Sequence, residues 1–277
     1  MVDIYKFTLG QLNCTVINDG DITIAPTSRF FEGASPDELA SVLAEYNLPA
    51  DGLTTPCSIL LVERDEQKIL VDCGSGGETA SYDADLGHLF AGLDEIGISV
   101  DEITHVILTH GHFDHISGCA DDDGTPKFPN ARYIMARAEY DFWQNFATDA
   151  PHYIAMRAKL KGIQSQLQLV EPDTEILDGV HLLATAGHTL HHISVEFQSD
   201  GETLLCPIDV MDHPLQGQHL TWGADWDLDR EQSTASRKKI LARAVESKAL
   251  VAGFHFPFPG LGRFTEQDSL YNWTSET

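Results

Sequence analysis

Positive charge is scarce in this chain of 277 residues: Lys and Arg total 17 against 43 Asp and Glu, for a formal net charge of −26. A field of that sign repels phosphate backbones and anionic lipid at long range, which argues against a nucleic-acid binder or a membrane-surface protein. Long apolar runs are lacking as well. No uncharged stretch approaches the roughly 18 residues of a membrane span, and Asp3 and Lys6 interrupt the region where a secretory signal needs an unbroken apolar core. The expectation is a soluble, cytoplasmic protein. Cysteines are few, odd in number and widely spaced (Cys14, Cys57, Cys73, Cys119, Cys206) and form no CxxC, which predicts reduced thiols rather than a disulfide framework. Internal repeats, low-complexity tracts and linkers rich in Pro, Gly or Ser are absent, so residues 1–277 read as a single domain. The acidity, with only 8 lysines, leaves two readings open: a strongly solvated surface, or adaptation to salt.

What is present is an ordinary globular composition, 42% hydrophobic and 22% charged, which excludes disordered, collagenous and coiled-coil classes. Short strands surround Asn18–Asp21. Ser35-Pro36-Asp37-Glu38 reads as a capping box opening a helix through about Tyr46. The apolar runs Ser58–Val62 and Ile69–Val71 form a hairpin ending at Asp72-Cys73-Gly74. Leu86, Leu89, Phe90, Leu93 and Ile96 recur at helical spacing, and His105–Thr109 has the length and branching of a fully buried strand. Further on, the pattern predicts a strand at Arg132–Met135, helices over Ala138–Phe146 and about Tyr153–Val170, and strands at Val180–Ala184, Ile193–Phe197 and Thr203–Cys206. A last helix over about Asp229–Glu246 precedes a strand at Ala249–Ala252. Two sets of strands, each followed by helices, predict two packed sheets with helices outside.

The sharpest local feature is Thr109-His110-Gly111-His112-Phe113-Asp114-His115, four potential metal ligands in six residues directly after a buried strand. Imidazole and carboxylate together suit zinc and similar divalent metals, and a short loop at a strand end can splay alternate side chains toward two adjacent centres, which a helix cannot. Isolated histidines such as His88, His152, His181 and His219 read as ordinary surface or core residues. Three more candidates stand where later predicted strands stop: His188 in Ala186-Gly187-His188-Thr189, Asp209 after Leu204-Leu205-Cys206-Pro207-Ile208, and His255 after Val251-Ala252-Gly253-Phe254. A site along one sheet edge requires that placement.

An HxHxDH motif followed by a single His, an Asp and a final His resembles the metallo-β-lactamase superfamily. Within it, Phe128-Pro129-Asn130-Ala131, Ala138-Glu139-Tyr140-Asp141-Phe142-Trp143 and His255-Phe256-Pro257-Phe258-Pro259-Gly260-Leu261-Gly262 are similar to the methyl parathion hydrolase-like group. The resemblance runs from about residue 50 to the end and implies an α/β fold, the αββα sandwich of two mixed sheets. It assigns His110, His112 and His188 to one metal, Asp114, His115 and His255 to the other, and Asp209 to a carboxylate bridge; Asp72 would orient a ligating histidine. Two features depart from it. Gly187-His188-Thr189-Leu190-His191-His192 carries two extra histidines, of which His188 alone follows the Gly turn, and Asp212 stands where the homoserine-lactone lactonases place a Tyr to contact the substrate carbonyl.

The expectation is therefore a dinuclear metal-dependent hydrolase. A metal-bridging hydroxide would attack a neutral ester or lactone, with Asp114 and Asp209 as catalytic carboxylates, Asp114 also returning a proton to the leaving group, and phosphotriesters as a promiscuous substrate. The cofactors implied are two divalent ions, zinc first, with manganese, cobalt or iron as alternatives. The partners implied are a small neutral substrate, no nucleic acid and no membrane, with a homodimer left open. Phe30, Phe31, Trp143, Trp222, Phe254 and Phe258 are candidates for an apolar pocket, though core packing serves any one of them equally. Cys73 and Cys206 read as packing residues, and Gly74-Ser75-Gly76-Gly77 as a plain loop. The rivals are a non-haem iron oxygenase and a non-catalytic metal-binding module on the same fold.

Overall fold

A computed structural model describes residues 1–77, 85–148 and 150–276, apart from the side chains at 151 and 152, so the reading of His152 lies outside it. Two seven-stranded sheets are laid out in chain order. The first comprises β1 (Ile4–Leu9), β2 (Leu12–Ile24), β3 (Leu53–Arg64), β4 (Gln67–Val71), β5 (His105–Leu108), β6 (Arg132–Ala136) and β7 (Leu167–Val170). Its pairings are antiparallel as far as β4 and parallel from β4 to β7. The second comprises β8 (Thr174–Leu177), β9 (Val180–Ala184), β10 (Ile193–Ser199), β11 (Glu202–Cys206), β12 (Leu250–Ala252), β13 (Leu261–Gln267) and β14 (Leu270–Ser275), in which only β11 and β12 run parallel.

The period-two alternation explains how the layers form. Leu60, Val62, Ile69, Val71, Ile107 and Ile134 point into the core between the sheets, where they meet Leu182, Ile193, Val195 and Leu204. Their sequence neighbours Ile59, Leu61, Leu70, Val106, Leu108, Tyr133 and Met135 point the other way, into a second core. Strands apolar on both faces must be covered on both. Helices α2 (Leu89–Glu95), α4 (Arg137–Asn145) and α5 (Pro151–Gly162) cover the first sheet, supplying Leu89, Leu93, Trp143, Met156 and Leu160 to that core. Helix α6 (Arg230–Glu246) covers the second sheet through Ile240, Leu241 and Ala244. This is the expected αββα sandwich. Helix α1 (Pro36–Glu45) packs with Phe30, Phe31 and Trp222 in a smaller cluster.

Three local expectations need correction. Ser35 caps α1 by accepting from the Glu38 backbone at 3.3 Å, whereas the reciprocal box forms instead at Ser99 and Glu102. The helix expected over 153–170 stops at Gly162, where a side chain would stand 2.4 Å from the Gly124 carbonyl oxygen; Leu167–Val170 instead pairs with β6 as an edge strand. The ligand motif is not all loop: His112 is the N-cap of a single turn, α3 (Phe113–Ile116), which carries Asp114 and His115.

Candidate metal centre

Every candidate ligand leaves the end of a strand. His110 and His112 follow β5, Asp114 and His115 ride on α3 just beyond, His188 follows β9, Asp209 sits in a tight turn after β11, and His255 follows β12. The turn into His188 requires glycine at 187, which has φ +137° and where a Cβ would lie 2.1 Å from the Ser233 nitrogen.

The hub is Asp209 Oδ2. It lies 3.2 Å from Nε2 of both His115 and His188, 3.6 Å from Nε2 of His110 and 3.7 Å from Nε2 of His255. On one side of it, His112 Nδ1 stands 3.0 Å from His110 Nε2 and 2.8 Å from His188 Nε2. On the other, Asp114 Oδ2 is 3.5 Å from His255 Nε2 and 3.6 Å from His115 Nε2. All are buried except His112, which is half-buried. The seven residues thus form two lobes sharing one carboxylate.

Four of the five rings are aimed by a partner behind them. Asp72, in a left-handed conformation at φ +64°, accepts from His115 Nδ1 at 2.8 Å and from the Thr109 backbone and hydroxyl at 2.8 Å each; Thr109 Oγ1 is in turn 3.2 Å from His110 Nδ1. Asp72 is therefore a turn residue and an orienting carboxylate at once. Asp227 Oδ1 faces His188 Nδ1 at 3.2 Å, and the Pro56 carbonyl accepts from His255 Nδ1 at 2.9 Å. These contacts turn the opposite ring nitrogens inward, where deprotonated they would offer lone pairs to a metal. His191 is exposed and outside the cluster, and His192 is a brace: its Nε2 accepts the Asp209 backbone N–H at 3.3 Å.

The electrostatics follow from burial and crowding. Burial opposes the charge on His115, but Asp209, Asp114 and Asp72 outweigh it and raise His115 to about 10. Burial and the neighbouring His188 push His112 down to about 3. Asp209 is held well below the usual carboxylate range against its own burial by His115, His255 and His188. Asp212, buried and with Oδ1 unpartnered, is pushed up to about 7 by burial and by Asp209.

The donor set fits two divalent ions. Tetrahedral Zn–N bonds of about 2.0–2.1 Å put ligand atoms roughly 3.3 Å apart, close to the spacings here. His115 Nε2 and Asp209 Oδ1 are buried without a hydrogen-bond partner, a loss that a cation would repair. His110, His112, His188 and Asp209 form one set of converging atoms within 4.8 Å, and His115, Asp209 and His255 another.

Sequence reasoning missed several participants. Cys57 on β3 offers its sulfur within 4.8 Å of Asp114 and His255, with burial raising its thiol to about 12. Glu139 and Asp227 also lay outside the forecast, since nothing in their spacing links them to the ligands. Of the six aromatic candidates, Phe254 stacks on His115 at 4.0 Å and Trp143 stands edge-on to His112 at 5.8 Å. Phe30, Phe31 and Trp222 pack with α1, and Phe258 packs between the sheets. Cys73 and Cys206 are fully buried, with thiols raised by burial, as expected of packing residues.

The metallo-β-lactamase superfamily profile matches residues 52–243. The chain belongs to the metallo-β-lactamase superfamily. Among particular relatives, it is 27% identical over 175 residues to an N-acyl homoserine lactonase of a Bacillus species, covering 57% of this chain and 65% of that one. It is 30% identical over 179 residues to a probable metallo-hydrolase of Mycobacterium tuberculosis, covering 53% and 54% respectively. The match therefore spans less than two thirds of the length of these curated relatives. Among solved structures, AidC, a dizinc quorum-quenching lactonase in complex with a homoserine product, superposes with a TM-score of 0.91 at 28% identity over 100% of this chain and 98% of that one.

Proposed function

We propose that the protein is a dinuclear metal-dependent hydrolase of neutral lactones and carboxylic esters, with N-acyl homoserine lactones as the first substrates to test. The observation that carries this is the convergence of four buried imidazoles on Asp209 Oδ2, each aimed from behind. His110, His112, His188 and Asp209 would hold one ion, and Asp114, His115, His255 and Asp209 the other. The nitrogen and oxygen donors favour zinc, with manganese, cobalt and iron compatible. Two such ions supply Lewis acidity toward the scissile carbonyl and an activated water.

The chain's own residues do the rest. Asp72, Asp227 and the Pro56 carbonyl fix the tautomers of His115, His188 and His255. Asp114, ligating through Oδ2, would take up on Oδ1 the proton released by the attacking water and pass it to the leaving alkoxide. Trp143 and Phe254 supply apolar walls that exclude water. The likeness to lactonases supports the substrate class, and so does charge: a chain of −26 repels polyanions before they reach the site, whereas a neutral ester develops negative charge only in the transition state. Five buried free cysteines support a reducing compartment, and we place the protein in the cytoplasm.

Steady-state kcat/KM at matched ionic strength tests this reading. Lactones and aryl esters should lead, neutral aryl phosphotriesters should follow weakly, and RNA should not be cleaved. Phosphodiester or RNA cleavage exceeding that of every neutral ester would overturn it.

A further inference from the structure

We propose that Glu139 is a positioning residue that clasps the two histidine loops of the first lobe together and so sets its affinity for metal. Its carboxylate is fully buried on α4, and each of its three donors belongs to the site. Oε1 accepts the Gly111 backbone N–H at 3.0 Å, between His110 and His112. The same oxygen accepts Trp143 Nε1–H at 2.6 Å, and Trp143 stands edge-on to His112. Oε2 accepts the Thr189 hydroxyl at 2.9 Å, next to His188. One side chain thus ties the loop after β5 to the loop after β9, segments more than 70 residues apart whose imidazole nitrogens meet at 2.8 Å.

The close approach explains the glycine inside the motif. A Cβ at Gly111 would lie 2.2 Å from Trp143 Nε1, so the residue between the two histidines must be glycine for the indole to reach Glu139. Ordinary helix packing does not account for the arrangement. Among the described residues, the side chain of Asp19, an equally buried carboxylate, braces Ser75 and Leu89 and bonds no ligand loop, whereas the Glu139 carboxylate bonds only Gly111, Trp143 and Thr189. Partners behind the ligands orient them, and their loss typically lowers metal affinity about 10–100-fold.

This inference rests on the cluster being a metal centre, and the test separates the two. Zinc and cobalt are titrated into the full-length protein against a chromophoric chelator, and the cobalt visible spectrum is recorded. Glu139→Ala should weaken one of the two metal equivalents about 10–100-fold and change the cobalt spectrum, leaving the second equivalent near its original affinity. Glu139→Gln keeps an acceptor for Gly111 and Trp143 and offers an N–H to the Thr189 oxygen, so it should restore most of that loss. Thr189→Val, which frees only the His188 loop, should weaken the same equivalent by several-fold and serves if Glu139→Ala does not fold. Unchanged affinity and spectrum in Glu139→Ala, or in Thr189→Val if that variant must stand in, overturn the clasp, even if the melting temperature falls. A wild-type protein that binds no metal overturns the metal centre itself.

Discussion

At Asp209 the sequence placed one carboxylate after an apolar strand, and the fold turns it into the point where four imidazoles meet. Its removal should therefore matter far more than removal of a nearby histidine that only resembles a ligand. Asp209→Ala is expected to lose at least one metal equivalent and about 100-fold or more of hydrolysis, whereas His191→Ala, on the exposed face, should stay within a few-fold of wild type. Metal analysis and kcat/KM on the same preparations check this, and equal losses would show that the histidines were wrongly sorted. The candidate ligands were legible because four of them crowd into six residues after a buried strand and the other three each stand where an apolar run stops. Their supports were not. Asp227 meets His188 from 39 residues away, and Glu139 reaches both loops from a helix, so no local spacing betrays either.

Among the elements, β4 to β6, β11 and β12 were legible as continuous apolar runs, and α6 was legible from Ile240, Leu241, Ala244 and Val245 near its end. The missed elements lacked such a signal. The hairpin of β13 and β14 turns through Asp268 and Ser269, both at positive φ, where Asn-Gly would have announced it. Gln166 holds the start of β7 by donating to the carbonyls of Phe128, Pro129 and Ala131, a tertiary contact that overrides helical spacing. The tie between β10 and α6 is Glu196, buried and gripped by Nε and Nη2 of Arg243, with Gln198 donating to it as well. Although burial opposes it, the Arg243 contact lowers the Glu196 pKa. A lowered folded-state pKa contributes stability that is fully present above the unfolded value of about 4.3 and fades as pH falls through the folded one. Glu196→Gln should therefore be less stable than wild type by about 1.5 kcal/mol at neutral pH, discounted for the exposure of Arg243, with the gap closing below about pH 4. Urea unfolding at several pH values reads it, and a gap that widened with acid would contradict the assignment.

For the whole molecule, the net charge of −26 sets behaviour that no single contact controls. If self-repulsion strains the folded chain, added KCl screens it over a Debye length of roughly 8 Å at physiological ionic strength, and the melting temperature should climb steeply toward molar salt. A flat response would leave only the solubility role for the acidic surface. Salt should change the rate with neutral lactones little, because their charge appears only at the metals. The most direct test of the central claim is to strip the protein with a chelator and follow N-acyl homoserine lactone hydrolysis while zinc is returned in measured equivalents. The dinuclear account predicts that hydrolysis falls to background and recovers to a plateau at two zinc ions per chain; undiminished hydrolysis in the stripped protein, or a plateau at one, would contradict it.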